Sequence, residues 1–440
     1  MDSPHNAVNS HPAPPPPASP EASRPQAEKL PWVLAEPEER GDDFKGQTNP
    51  MGLVGIAALF ALLWFGAGPR YFLVVLGLVV MIFLHELGHY MTAKWTGMKV
   101  TQFFLFMGPR IWSFRRGETE YGVRLFPVGA FVRIVGMNNL DPCDPEDEPR
   151  AYRNKSYPRR LLVISAGSIM HFIQALILFV IVTSLIGVND PAKWSVGRVS
   201  ALTDQATPAV EAGLVPGDDI IAIDGVDTTQ WDETVEYIQD RPGQQVTLTV
   251  VRGAETLTET VTLAEVDAVD GDGTSGFLGV GPDFERTRQS PIEGVKLLGE
   301  TTWTALTSIP QFLSPSTLGQ LATLLFSGSE DVSLDSEEAQ RPVSVVGAVR
   351  LAGQPDFDVT VPLTLLGVFN VFIGILNMLP LLPLDGGHAA IATYERIRSR
   401  KGYRHQVDVA KLLPVAYAVV GLLGFIMVST VILDIVRPIG

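Results

Sequence analysis

The sequence predicts a polytopic α-helical membrane protein with four core transmembrane helices, an extra helix ahead of them, a membrane-associated β element and a folded domain outside the membrane. Three observations predict it. The chain has 440 residues, 46% of them hydrophobic, and gathers its apolar residues into uncharged runs: Tyr71 to Leu84, Leu161 to Val188, Val359 to Leu384 and Leu412 to Leu433. A helix needs roughly 20 such residues to cross a hydrocarbon core about 30 Å thick. Charge is sorted between the runs: Lys94 to Arg160 holds 12 Lys or Arg and Ala389 to Lys411 holds 6, whereas Val188 to Thr360 holds 9 against 28 Asp or Glu. Third, the first run reaches full length only if it continues through the polar cluster His85 to His89.

Basic loops stay on the cytoplasmic side, so the two Lys/Arg-rich loops are expected inside and the long acidic segment outside. The chain then divides as follows. Residues 1–50, with Pro14 to Pro17 and acidic Glu36 to Asp43, read as a disordered cytoplasmic tail with no cleavable signal peptide. Residues 51–68 form the extra helix, ending in Gly68-Pro69, and 71–93 the first core span. A cytoplasmic hairpin region covers 94–160, the second span 161–188, a folded domain 195–266, an outer linker with an amphipathic helix 267–358, the third span 359–388, a basic loop 389–411 and the fourth span 412–436. Net charge of −15 argues against a nucleic-acid partner. The one cysteine, Cys143, excludes an intrachain disulfide, so the outer domain must hold together by its core.

From Thr101 to Met137 apolar and polar residues alternate between Gly108-Pro109, Arg116-Gly117 and Gly129, the pattern of strands and hairpins. Val123 to Val135 is too apolar for an ordinary cytosolic loop. It is expected to lie against or dip into the membrane, where its backbone must be satisfied by protein or a watery cavity.

In the outer segment, Ala212 to Asp218 (Ala-Gly-Leu-Val-Pro-Gly-Asp) precedes strand-like Ile220 to Ile223, a turn at Asp224-Gly225, a helix near Trp231 to Asp240, and strands Gln245 to Arg252 and Thr256 to Leu263. Residues 195–266 thus resemble a PDZ domain of the protease-attached kind. That resemblance implies a peptide or protein ligand held as an added strand.

His85-Glu86-Leu87-Gly88-His89 carries the chemistry. Four residues of α-helix rise about 6 Å and turn about 400°, so the two imidazoles stack on one face and can share a tetrahedral zinc ion. Glu86 then stands beside the metal, placed to take a proton from a water whose pKa zinc lowers to about 7 and to pass it to the leaving amine. With the span starting near Tyr71, His85 lies about 21 Å along it, at a depth where ionisable groups default to function. A catalytic zinc needs a third protein ligand. Asp385 is the first ionisable residue after Asp358, in Leu384-Asp385-Gly386-Gly387-His388. His388 is a rival that spacing leaves open; Asp385 is preferred because it is nearer the apolar segment.

A His-Glu-x-x-His on the first core helix, an outer PDZ domain and Leu-Asp-Gly on the third core helix together resemble the site-2 protease family, over roughly residues 70 to 437. The resemblance implies zinc on His85, His89 and Asp385, Glu86 as acid and base, and Asn377 positioning the substrate or stabilising the oxyanion. It implies that Phe126 to Val132, with Gly129 among the substrate-positioning residues, is part of a membrane-associated β element that holds the substrate as an added strand. It implies a zinc metalloendopeptidase in the cell membrane, active site near the cytoplasmic side, cutting single-span membrane proteins in regulated intramembrane proteolysis; anti-sigma factors and signal-peptide remnants are the substrate class. The sequence departs from the family where Gly167 to His171 puts His171 in place of an expected Asn, read here as a hydrogen-bonding packer in the bundle. Two other readings are a non-catalytic PDZ-containing scaffold, which has no need of Glu86, and an ion transporter, which needs more intramembrane polar groups than the spans carry.

Overall fold

The computed structural model describes residues 48–137, 143–200, 207–228, 230–267, 273–326, 342–353, 359–399 and 405–436. Residues 1–47 of the expected tail lie outside this set. Among the described residues, five helices are long and apolar enough to cross a membrane. α1 (Pro50–Leu62) continues through a π-turn to Ala67. Gly68, at φ 108, then breaks the run and Pro69 opens α2 (Pro69–Trp95), since proline lacks only an amide that a first turn leaves unpaired. α3 (Tyr157–Val180) likewise begins with proline at its first turn and continues by a π-turn to Ile186.

α2, α3 and α9 (Thr360–Asn377) form the centre, and small residues let them approach. Lipid gives no hydrophobic drive for helices to associate, so close backbone packing must supply it. A Cβ at Gly88 would lie 2.8 Å from the Ala166 carbonyl oxygen, one at Gly77 2.6 Å from Leu366, and one at Gly367 2.4 Å from Phe179. Gly367 and Gly374 are two turns apart on the α9 face that meets α3. α6 (Pro291–Phe312) covers α3 and α9 through Ala305 and Ile309 against Phe179 and Val371. α7 (Pro315–Phe326) and α11 (Leu413–Val436) pack through Leu321, Leu324, Ile426 and Leu433. α11 also caps the short helix α8 (Val345–Gly353): the Asp434 carboxylate accepts from the Ser344 amide at 2.7 Å.

Between α2 and α3 two long bent strands, β1 (Val100–Arg116) and β2 (Thr119–Ile134), make the expected β element. The register shows more than one hairpin. Gln102 to Leu105 pair both with Glu120 to Val123 and with Ala130 to Arg133, while 110–116 pair with 119–124. The ribbon therefore doubles back into four short strands, with Gly108 (φ 86) and Gly129 (φ 71) in the left-handed region at the bends. Arg124 pins the fold, its guanidinium 4.7 Å from the Phe104 ring and 5.0 Å from Phe131 and donating to the Gly108 carbonyl at 2.9 Å.

The folded unit expected at 195–266 begins earlier and ends later than those bounds. β3 (Val188–Val199) pairs with β10 (Val280–Thr287), so the unit closes at Thr287, inside what reads as linker in sequence. In between lie α4 (Pro208–Glu211), β4 (Asp219–Ile223), β5 (Val226–Asp227), α5 (Trp231–Gln239), β6 (Gln245–Arg252), β7 (Glu255–Thr262), β8 (Ala264–Asp267) and β9 (Thr274–Phe277). One core joins them, from Val196 through Ile223 and Leu248 to Leu278. The Asp218 side chain, fully buried, accepts from the Val215 amide at 2.9 Å and from Arg252 at 2.6 and 2.7 Å, which holds its carboxyl below the usual carboxylate range.

Two further boundaries differ from expectation. The third core span ends at Asn377, and after a seven-residue turn α10 (Asp385–Arg398) starts afresh, so Asp385 is not on the span. The first part of the expected basic loop 389–411 is the body of that helix. The prolines and glycines between Asn377 and Gly387 account for both.

A polar clamp ties the β element to the end of α2. Glu118, at the hairpin tip, accepts from Arg150 at 2.5 and 2.7 Å and from Lys94 at 2.6 Å. Arg150, then Lys94, draws its carboxyl from 4.5 down to about 2. A lowered carboxyl contributes stability that is complete above its unfolded pKa and is lost as pH falls through the folded one. Amide-exchange protection in β1 and β2 should therefore hold down to pH 4.5 and fall between there and about 2. Glu118→Gln should start lower at neutral pH and show no step in that window; identical profiles for the two proteins would contradict the clamp.

Candidate metal centre

α2 places His85 and His89 one turn apart, with 8% and 7% of their surface exposed. The His89 Nδ1 lies 2.7 Å from the Val163 carbonyl oxygen, an acceptor only, so Nδ1 carries the proton and Nε2 presents its lone pair. That Nε2 stands 3.1 Å from the Nε2 of His85.

Asp385 arrives from the other end of the chain. It is the first residue of α10, and its Oδ2 lies 3.2 Å from His89 Nε2 and 3.5 Å from His85 Nε2. The two glycines after it are required by close approach. A Cβ at Gly386 would sit 2.2 Å from the Leu379 carbonyl oxygen, and one at Gly387 2.7 Å from the Leu381 backbone. The turn 378–384 thus folds flat onto the first turn of α10 and aims Asp385 at α2. Further along, Glu395 pairs with the buried Arg160 of α3 at 2.7 Å and accepts from the Val407 amide at 2.8 Å.

These residues fit a zinc ion. Two nitrogen donors and one carboxylate oxygen lie 3.1, 3.2 and 3.5 Å apart. Tetrahedral zinc with arms of about 2.0–2.1 Å places its ligands about 3.3 Å from one another. Asp385 Oδ2 and His85 Nδ1 are buried without a hydrogen-bond partner, a costly state for such atoms that a cation on Oδ2 would relieve for the carboxylate.

Of the other residues singled out in sequence, Glu86 is adjacent, partly buried, and faced by the Val132 backbone amide of β2. His388 is turned elsewhere, lining a small pocket with Tyr152, Arg160 and Glu395, and is not among the clustered donors. Asn377 is the last residue of α9, half-buried, and its side chain makes no hydrogen bond among the described residues. Gly129 lines an apolar cavity of about 440 Å³ between α2, the β element and α8, with Leu78, Ile82, Phe106 and Val349.

Three contributors escaped sequence reading. Val163 acts through its backbone and leaves no trace in side-chain type. Asn370 accepts from His171 at 2.9 Å; an amide within an apolar span was the available signal. Gly167 is the third: a Cβ there would lie 2.4 Å from His85 Cε1 and 2.4 Å from His89 Nε2. Gly167→Ala should therefore retain the helical fold, since alanine is the better helix former, yet lose bound zinc by at least about tenfold, the scale set by displaced ligand supports. Metal analysis of the purified variant beside its circular dichroism checks this; full zinc occupancy would refute it.

The sequence pattern described as Peptidase family M50 matches residues 71–421. The chain is 32% identical over 413 residues to a protein named zinc metalloprotease Rip1 from Mycolicibacterium smegmatis, covering 86% of this chain and 99% of that one. It is 30% identical over 403 residues to zinc metalloprotease Rip1 of Mycobacterium tuberculosis, covering 83% and 97%. With a putative zinc metalloprotease of Clostridium acetobutylicum it shares 29% over 366 residues, covering 83% and 97%. The chain belongs to peptidase family M50, the site-2 proteases, and is a multi-pass membrane zinc metalloendopeptidase.

Proposed function

We propose that this protease hydrolyses peptide bonds in or beside the transmembrane segment of single-span membrane proteins, with zinc held by His85, His89 and Asp385. The observation that carries the reading is the cluster of three donor atoms, 3.1 to 3.5 Å apart, set among apolar helices with Glu86 next to it. Zinc, when bound, supplies an acidified water and polarises the scissile carbonyl. Glu86 takes the proton on its carboxylate and returns it to the leaving amine. The surrounding apolar side chains exclude bulk water and strengthen these electrostatic effects.

Substrate enters as an extended segment. A helix cannot offer its carbonyls to a metal until it unwinds, and the edge of β2 near Val132, which faces Glu86, is suited to receive the unwound strand. Gly129 gives β2 the bend that brings this edge round, and Asn377 contributes an amide to orient the strand or its oxyanion. The outer unit, residues 188–287, acts as a PDZ domain for a peptide or protein ligand on the extracytoplasmic side. The site lies toward the cytoplasmic face, as the basic segments 94–160 and 389–411 favour. The physiological role is regulated intramembrane proteolysis, with an anti-sigma factor or a signal-peptide remnant as the substrate class.

Two tests follow. In detergent-purified protein with a model single-span substrate, Glu86→Gln should retain zinc and lose cleavage by at least about a hundredfold, the lower range for a general base; undiminished cleavage would sink the proposal. Asp385→Ala should also lose zinc, whereas His388→Ala should keep it, as metal analysis will show. The reverse pattern would transfer the third ligand to His388.

A further inference from the structure

We propose that His171 and Asn370 form a hydrogen-bonded pair that positions the His85 imidazole for the metal. This rests on the metal-site reading above and concerns how the site is held together.

The two histidines of α2 are supported differently. His89 gives its Nδ1 proton to the Val163 carbonyl at 2.7 Å, whereas the Nδ1 of His85 is buried with no hydrogen bond of ordinary geometry and has only the Gly167 backbone beside the ring. A metal-binding imidazole needs its ring orientation fixed. For His85 the available support is contact. On one side, Gly167 approaches so closely that a Cβ there would overlap Cε1. On another lies the His171 ring, its centroid 4.8 Å away and its plane tilted by 41°.

His171 is itself held. It is 2% exposed and its Nδ1 is 2.9 Å from Asn370 Oδ1. The Asn370 Nδ2 donates to the Leu366 carbonyl at 2.8 Å, which settles the amide orientation: Oδ1 faces His171 and accepts, so His171 Nδ1 donates. Both residues are buried, and each fills a hydrogen-bonding need of the other that nothing apolar would meet. Gly374 makes room for the pair, since a Cβ there would come within 3.1 Å of the His171 Cβ. The chain Leu366, Asn370, His171, His85 thus runs from α9 through α3 to α2. α9 is also the helix that leads into the turn before Asp385, so the strut relates the helix of the two histidines to the segment delivering the third donor.

The test uses the full chain in detergent, stripped of metal with a chelator and titrated with Co²⁺, whose visible d–d bands report ligand geometry, then with Zn²⁺ in competition. His171→Ala and Asn370→Ala should each weaken metal binding, His171→Ala by about 10-fold or more, with displaced Co²⁺ bands. The double variant should bind no more weakly than His171→Ala alone, because Asn370 acts through His171. Asn370→Ala retains the His171 side chain and removes only its anchor, so the pairing stays testable should His171→Ala fail to fold. Affinity within twofold of wild type with unchanged bands in Asn370→Ala would overturn the proposal, as would losses that add in the double variant. His85→Ala serves as the control: if it binds metal normally, the metal-site reading fails, a result separate from failure of the strut.

Discussion

Two imidazole nitrogens and a carboxylate oxygen lie within 3.5 Å of one another among apolar helices, and the surrounding structure makes sense as the means of keeping them there. Unpartnered lone pairs cost several kcal/mol apiece in a medium that offers no water. A zinc ion removes that cost, and its preferred ligand spacing of about 3.3 Å matches the separations found. In the proposed mechanism the same apolar enclosure strengthens the action of the metal and of Glu86, since charges act more strongly where solvent is excluded.

Glycine does much of the holding. Gly88 brings α3 onto α2, Gly167 admits both ligand rings, Gly367 and Gly374 bring α9 onto α3, and Gly386 with Gly387 folds the turn 378–384 onto α10. In a bilayer the backbone must approach closely for dispersion to hold helices together, so small residues sit at the contacts. Among the described residues, buried polar links join distant segments: Arg160 with Glu395, His171 with Asn370, Asp434 with the Ser344 amide. Each joins helices distant in sequence. Removing one partner leaves the other buried and unpaired, which makes them strong constraints on geometry whatever they add to net stability.

Asp385 at the head of its own helix changes how the site is pictured. A ligand carried on a rigid span would be fixed by packing along its whole length. Here the candidate donor is fixed locally, by the flat turn before it and the Arg160 to Glu395 contact behind it. The β element is similarly local in its control. Its doubled-back ribbon depends on left-handed glycines and on the Arg124 guanidinium between two aromatic rings, and it places the Val132 amide opposite Glu86.

Much of this was legible in the amino-acid sequence, because it follows from local period and solvent preference. Apolar runs marked the spans, alternation marked the β element, and the four-residue spacing of His85 and His89 on a helix left them no choice but to face the same way. Asp385 was legible as a lone acid after a long apolar stretch. Other features depended on contacts between distant segments, which no local pattern encodes. The closing of the unit 188–287 by β10 required β3, about ninety residues earlier, to offer an open edge. Asp385 rather than His388 turned toward the ligands because the turn before α10 set the phase of that helix. The pairing of His171 with Asn370 arose from the approach of α3 and α9, and the support from Val163 from a carbonyl common to every residue. Sequence alone thus determined the donors and the membrane setting, through periodicity and burial cost; tertiary structure decided which donors meet and what holds them, because register between helices is set by packing.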